Sequence, residues 1–230
     1  MTEAPVLLLG VPIKEVRNPH VIAIADFQGE RVKYSFGFHD LFKEATGFKC
    51  GNDEVELPRM PNVSAYVVLS ETYVRRAVKK CELPLEQDEM DDVLREIDEV
   101  LFGAPLVGAM RRAYRKRSAV IFREGEREVE IGLPVVKARF VAEHYLPDRI
   151  RYVDDSVVHL AGYLPIEFFD SNDWNLLKVN DLIWELVYGV KSPPRKDWIL
   201  IWDNDRVTTI ELVDVLKEAG APGDHAIREG

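Results

Sequence analysis

The sequence holds only two cysteines, Cys50 and Cys81. No CxxC pair and no Cys/His cluster accompanies either of them, so neither a disulfide framework nor a zinc site is indicated. Both are expected to be reduced thiols, which fits a cytoplasmic setting. Long apolar runs are also missing. The longest, Val6-Leu7-Leu8-Leu9 and Ala65-Tyr66-Val67-Val68-Leu69, are far shorter than a membrane span. Met1-Thr2-Glu3-Ala4-Pro5 carries no basic stretch, so no signal peptide is expected. There is no P-loop, no Gly-x-Ser-x-Gly elbow and no Gly-x-Gly-x-x-Gly turn, which removes the commonest phosphate-binding and acyl-transfer routes. The five histidines (His20, His39, His144, His159 and His225) show no metal-ligand spacing among themselves.

What is present is charge, and it is unevenly placed. The 230 residues carry a formal charge of −10, with 30% charged and 47% hydrophobic residues. That balance suits a packed globular protein and argues against disorder. Uniform acidity would repel nucleic acid. Segment 82–99, however, concentrates nine acidic residues against one basic one. Arg75, Arg76, Lys79 and Lys80 precede it, and Arg111, Arg112, Arg115, Lys116 and Arg117 follow it. These residues fall in a predicted three-helix segment near 71–117. Tyr73, Val74, Ala77, Val78 and Cys81 share a face of the first helix, which Ser70 caps. Met90, Val93, Leu94, Ile97 and Leu101 follow helical spacing in the second. Leu106, Val107, Met110 and Tyr114 form the stripe of the third, with Pro105 in its first turn. Two outcomes stay open for these helices. They can neutralise one another, or they can dock a partner protein or phosphate backbone through Arg75, Arg76, Lys79, Lys80, Arg111, Arg112, Arg115 and Lys116.

Elsewhere the pattern predicts strands at Val6–Val11, Ser64–Leu69, Arg149–Val153, Val157–Leu160 and Trp198–Trp202. It predicts hairpins around Gln28-Gly29-Glu30 and Glu124-Gly125-Glu126. Helices are predicted over His39–Thr46, after Ser171-Asn172-Asp173, and from the Thr208-x-x-Glu211 capping box to Gly220. Pro147 and Pro165 read as breaks. The fold class is therefore α+β, with a mixed, largely antiparallel sheet, two hairpins and a C-terminal strand-helix unit. Residues 1–222 are expected to form a single globular domain with a subdomain junction near 48–62, and 223–230 a tail.

Two short motifs bear on chemistry. Trp198-Ile-Leu-Ile-Trp202 ends in Asp203-Asn-Asp205. Two carboxylates at a sheet edge could share a divalent cation, with Mg²⁺ the cofactor so implied. A turn between strand and helix would favour the same residues. The stretch resembles the Asp-x-Asp strand of Toprim domains, which implies Mg²⁺ ligation by Asp203 and Asp205. It departs from that family at Thr208, where a glycine usually stands, and in having no upstream Glu-Gly strand end. Tyr152-Val-Asp154-Asp155 resembles the Tyr-x-Asp-Asp hairpin of reverse-transcriptase palms, whose aspartates bind metal; no other palm motif is legible.

With no complete catalytic motif, the sequence is read as a non-catalytic intracellular accessory protein. It would dock another protein through its charge-segregated helices. Two alternatives stand beside that reading. One is a Mg²⁺-dependent enzyme acting on nucleic acid or phosphate esters. The other is a nucleic-acid-binding protein using basic helix faces. No membrane association is expected.

Overall fold

The computed structural model describes residues 2–51, 54–103, 105–147 and 153–213. The fold is α+β. A seven-stranded mixed sheet runs in the order β6-β5-β2-β7-β9-β8, and β1 adds to β2. The strands are β1 (Thr2–Leu9), β2 (His20–Gln28), β5 (Ala119–Phe122), β6 (Val129–Ile131), β7 (Val136–Tyr145), β8 (Trp198–Asp203) and β9 (Arg206–Val213). β1 covers one edge of β2 over most of its length. The other edge is shared: His20–Ile22 pair with β5, and Ala25–Gln28 pair with β7. The β2–β7 ladder is the one parallel ladder among the described residues. β3 (Arg31–Tyr34) and β4 (Val55–Pro58) form a separate two-stranded sheet.

Six helices pack on this frame: α1 (Phe38–Thr46), α2 (Asn62–Lys80), α3 (Gln87–Phe102), α4 (Pro105–Lys116), α5 (Asp155–Ser171) and α6 (Leu176–Tyr188). α2 and α4 lie against β1, and α6 lies against β8 and β1. Gly47 ends α1 in the left-handed region, as its position in the sequence predicts. The three helices predicted across the charged segment all form. So does the hairpin at Glu124-Gly125-Glu126, between β5 and β6.

Other expectations are corrected. Gln28-Gly29-Glu30 does turn the chain, but β3 leaves β2 and pairs with β4 instead. Ser64–Leu69 is helical, as the first turns of α2, and every residue from Val63 to Glu71 is buried there. A helix buried on all sides loses the polar face that gives it its period, so in sequence it looks like a buried strand. Val157–Leu160 is also helical, inside α5, where apolar residues on the exposed as well as the buried side blur the helical period. Pro165 sits within that helix rather than breaking it. The segment from Thr208 is strand β9, not a helix. Thr208 pairs with Glu143 on one side and Ile201 on the other. The β-branched run Val207-Thr208-Thr209-Ile210 favours the pleated surface over the capping box. Residues 149–152 of a predicted strand, the end of the predicted last helix and the predicted tail lie outside the described residues.

Cys50 and Cys81 are joined in a disulfide, not held as free thiols. The link fastens the loop before β4 to the end of α2. Cys50 is buried there, and its N–H donates to the Tyr73 hydroxyl at 3.0 Å. The inference of a cytoplasmic setting from reduced cysteines therefore loses its basis. No helix among the described residues is long and apolar enough to cross a membrane.

Candidate functional site

The Asp203-Asn-Asp205 motif is a two-residue β-hairpin tip. Asp203 pairs with Arg206, and Asn204 adopts φ of 63°. Asp203 points inward and is 1% exposed. It accepts from the Val63 N–H at 2.8 Å, from Asn62 Nδ2 at 3.3 Å and from the Thr208 hydroxyl at 3.2 Å. This is a helix cap supplied from a distant strand. The first turn of α2 has N–H groups without intrahelical acceptors, and its dipole favours a negative group. Burial raises the pKa of Asp203, while the hydrogen bonds from Val63 and Asn62 oppose the rise. Asp205 stands in solvent with Arg206 beside it at 3.8 Å. One carboxylate is committed inside and the other faces out, so the hairpin does not present a shared cation site. The likeness to Toprim strands ends here too, because a strand follows where a helix should. Asp154 caps α5 by accepting from the Ser156 N–H at 2.8 Å. Among the described residues no three His, Cys, Asp or Glu side chains converge as a metal would require.

The cations of α4 are neutralised within the chain, Arg111 and Arg115 by acids of α2 and α3 and Arg112 and Lys116 by acids of the β5–β6 hairpin. Arg111 is 4% exposed and donates to Asp98 through Nε at 3.2 Å and Nη2 at 2.6 Å. Its Nη1 reaches Glu71 at 2.9 Å and the Ser70 hydroxyl at 2.8 Å. The Tyr66 hydroxyl donates to Asp98 at 2.6 Å. Burial alone would pull the Arg111 pKa down, but Asp98 and Tyr66 hold it above its ordinary value. Arg115 joins Glu71 and Asp91 at 3.0 and 2.7 Å. Arg112 bonds Glu128, and Lys116 bonds Glu130 at 2.7 Å. The four α4 cations proposed from sequence for nucleic acid or a partner thus already have carboxylates. The α2 set differs. Arg75 lies 5.9 Å over the Tyr114 ring, and Arg75, Arg76, Lys79 and Lys80 have no ion-pair partner among the described residues.

Sequence reasoning missed two features. The first is the β1–β2 connection, Gly10–Pro19, much longer than adjacent antiparallel strands need. It is pinned at several points. Asn180 accepts from the Gly10 N–H at 3.0 Å, the Tyr188 hydroxyl donates to the Pro12 carbonyl, and Arg123 Nε donates to the Arg17 carbonyl at 2.8 Å. Glu15 takes a φ of 68°, uncommon for a residue with a side chain. Two cavities, of about 520 and 460 Å³, flank this loop and share Val16, Arg17 and Asn18. Both sizes are typical of ligand pockets. His20 lines the larger one. Burial lowers its pKa to about 4, and its Nδ1 has no hydrogen-bond partner among the described residues. That nitrogen lies against Gly10, where a Cβ would approach it to 2.5 Å. The Nδ2 of Asn18, in a residue also 6% exposed, has no partner among the described residues either. Nothing in local spacing marks Asn18 or His20; only the length of the loop between two apolar strands hints at them.

The second is an apolar surface. Leu160, Tyr163, Ile166 and Phe169 on α5, with Leu182 and Leu186 on α6, are between 38% and 55% exposed. The two helices that carry them are themselves mostly acidic. Residues 153–188 contain seven acidic side chains and one basic residue, Lys178. Lys178 is bound to the buried Asp181 at 2.7 Å. No family model matches this chain, and neither does any curated protein or solved structure.

Proposed function

We propose that the protein is a non-catalytic docking protein, and that the docking surface is the exposed apolar face of α5 and α6 rather than the charged helices. The observation that carries this reading is the set of six large apolar side chains left in solvent on two adjacent helices. Together they expose roughly 500 Å² of apolar side chain, at the upper end of what a monomer ordinarily shows. The partner is a protein segment with an apolar ridge bordered by lysine or arginine. Charge chooses it. The exposed ionic groups carried by α5 and α6, including Asp155, Asp170, Asp173 and Glu185, are acidic, and the arginines of the β1–β2 loop and β5–β6 hairpin meet the face only at Ile166. A second copy of this chain would set those carboxylates against themselves, and like charges across an interface cost affinity. A cationic amphipathic helix laid in the face would instead match both its apolar and its acidic parts.

The test is calorimetric titration with two synthetic helices, one of leucine and lysine and one of leucine and glutamate. The leucine-lysine helix binds and the leucine-glutamate helix does not. Phe169→Ser with Leu182→Ser changes no charge and touches no buried residue. It weakens binding about tenfold or more, as loss of central apolar anchors does. Equal affinity for the wild type and this double variant would sink the reading, because the interaction would then be charge alone. Dimerisation of the free chain at micromolar concentration, abolished by the same double variant, would replace it with self-association.

A further inference from the structure

The smaller of the two cavities beside the β1–β2 loop has the makings of a ligand site that adjoins the docking face at Ile166. Its volume is about 460 Å³. Three elements build it: the loop, the β5–β6 hairpin and α5. Ile121 and Val129 wall one side, and Val158 and Ile166 the other. These walls are aliphatic and β-branched, and His159 completes the lining with an exposed imidazole. Asn18, 6% exposed, lies between this groove and the larger cavity. Gly162 of α5 makes room for it, since a Cβ there would stand 3.4 Å from Asn18 Oδ1. The mouth is cationic. Arg17 and Arg127 line it, and neither guanidinium has a carboxylate partner among the described residues. The one acid at the mouth, Glu126, is held by Arg123 at 3.0 Å.

We infer that this groove binds a single-chain anionic amphiphile, an aliphatic tail ending in a carboxylate or phosphate. The tail lies between α5 and the β5–β6 hairpin. The head accepts from Arg17, which is exposed and free to fold over it. Arg127 adds positive potential at the mouth.

Titration calorimetry on the full chain tests this with decanoate, decyl phosphate, decanol, acetate and inorganic phosphate. Decanoate or decyl phosphate binds, and whichever is tighter names the head group. Decanol binds about tenfold more weakly or worse, because it lacks the charge that the arginines read. Acetate and inorganic phosphate do not saturate the protein. Arg17→Gln with Arg127→Gln lies wholly on the surface and weakens the anionic ligand about tenfold, while decanol is unaffected. Gly162→Leu fills the groove and removes binding of both. Three results would overturn the inference: no amphiphile saturating the wild type, decanol matching decanoate, or full binding retained in Gly162→Leu. Binding lost in Phe169→Ser but kept in Gly162→Leu would likewise place the amphiphile on the docking face and end the proposal. The two sites share Ile166, but Phe169 and Leu182 do not line this groove, so the Phe169→Ser and Gly162→Leu variants tell their failures apart.

Discussion

Replacing Arg111 with methionine tests what holds α2, α3 and α4 together. Methionine keeps much of the length and apolar stem of arginine and removes the guanidinium. Asp98 then loses two donors, at 3.2 and 2.6 Å, and keeps only the Tyr66 hydroxyl. Glu71 loses a donor at 2.9 Å and keeps Arg115. Both acids are 4% exposed, so water cannot replace what is lost. Taking one member from a buried ion pair typically costs about 3–5 kcal/mol, chiefly because the charge left behind is desolvated and unpaired. Lys116→Met is the control. It removes a cation from the same helix, but both members of its pair with Glu130 are about half exposed, at 49% and 55%, and such pairs are worth about 0–1 kcal/mol. Urea unfolding followed by far-UV circular dichroism reads both variants. The midpoint for Arg111→Met falls well below that for Lys116→Met, with unchanged slope. Adding Asp98→Asn to Arg111→Met recovers part of the loss, because the stranded charge is gone. If the two single variants unfold alike, the network is not buried in solution and the packing of these helices is wrong.

Reduction of the Cys50–Cys81 disulfide, which closes a separation of 31 residues, is expected to lower stability by about 3–4 kcal/mol; melting with and without dithiothreitol checks it. Burial lowers the pKa of His20 from 6.5 to about 4, so its neutral form stabilises the fold above pH 6.5 and that contribution, about 3 kcal/mol, is lost as pH falls toward 4. Burial raises Asp181 from 3.8 to about 6, so the folded state holds a proton that the unfolded state releases, and about 3 kcal/mol of stability disappears as pH rises from 3.8 to 6. The two windows overlap with opposite signs, so the wild type should be nearly flat between pH 4 and 6, while His20→Phe gains stability on acidification and Asp181→Asn loses it. Urea midpoints across that range would refute the assignment if either variant kept the wild-type profile.

Much of the fold was legible where helices and strands have one wet face. α3 and α4 carry apolar residues at helical spacing because their other sides meet solvent or charge, and the β5–β6 hairpin carries its glycine at the turn. Legibility failed where burial is complete. The first turns of α2 are enclosed on every side, so Val63 to Leu69 shows no period that would separate helix from strand. Their start is fixed by Asp203, 140 residues away from Val63, an acceptor that no local pattern reveals. Thr208 and Glu211 illustrate the reverse error. Their spacing fits a cap, but capping is worth about 1 kcal/mol, and pairing on both edges with β7 and β8 outweighs it.

The candidate surfaces follow the same logic. Charge is the loudest signal in this sequence, yet Arg111, Arg112, Arg115 and Lys116 are spent on carboxylates of the chain itself. A charged side chain announces itself whether or not it is free, and only tertiary contact decides which. An exposed leucine on an apolar helix behaves in the opposite way, because it is indistinguishable in sequence from a core residue. α5 has large apolar side chains around most of its circumference, and so its exposed Leu160, Tyr163, Ile166 and Phe169 were hidden among buried Ala161, Leu164 and Phe168. A helix that is apolar all round is ordinarily covered all round. In this chain the described residues cover only one side of α5, and that uncovered side is the physical reason to look for a partner there.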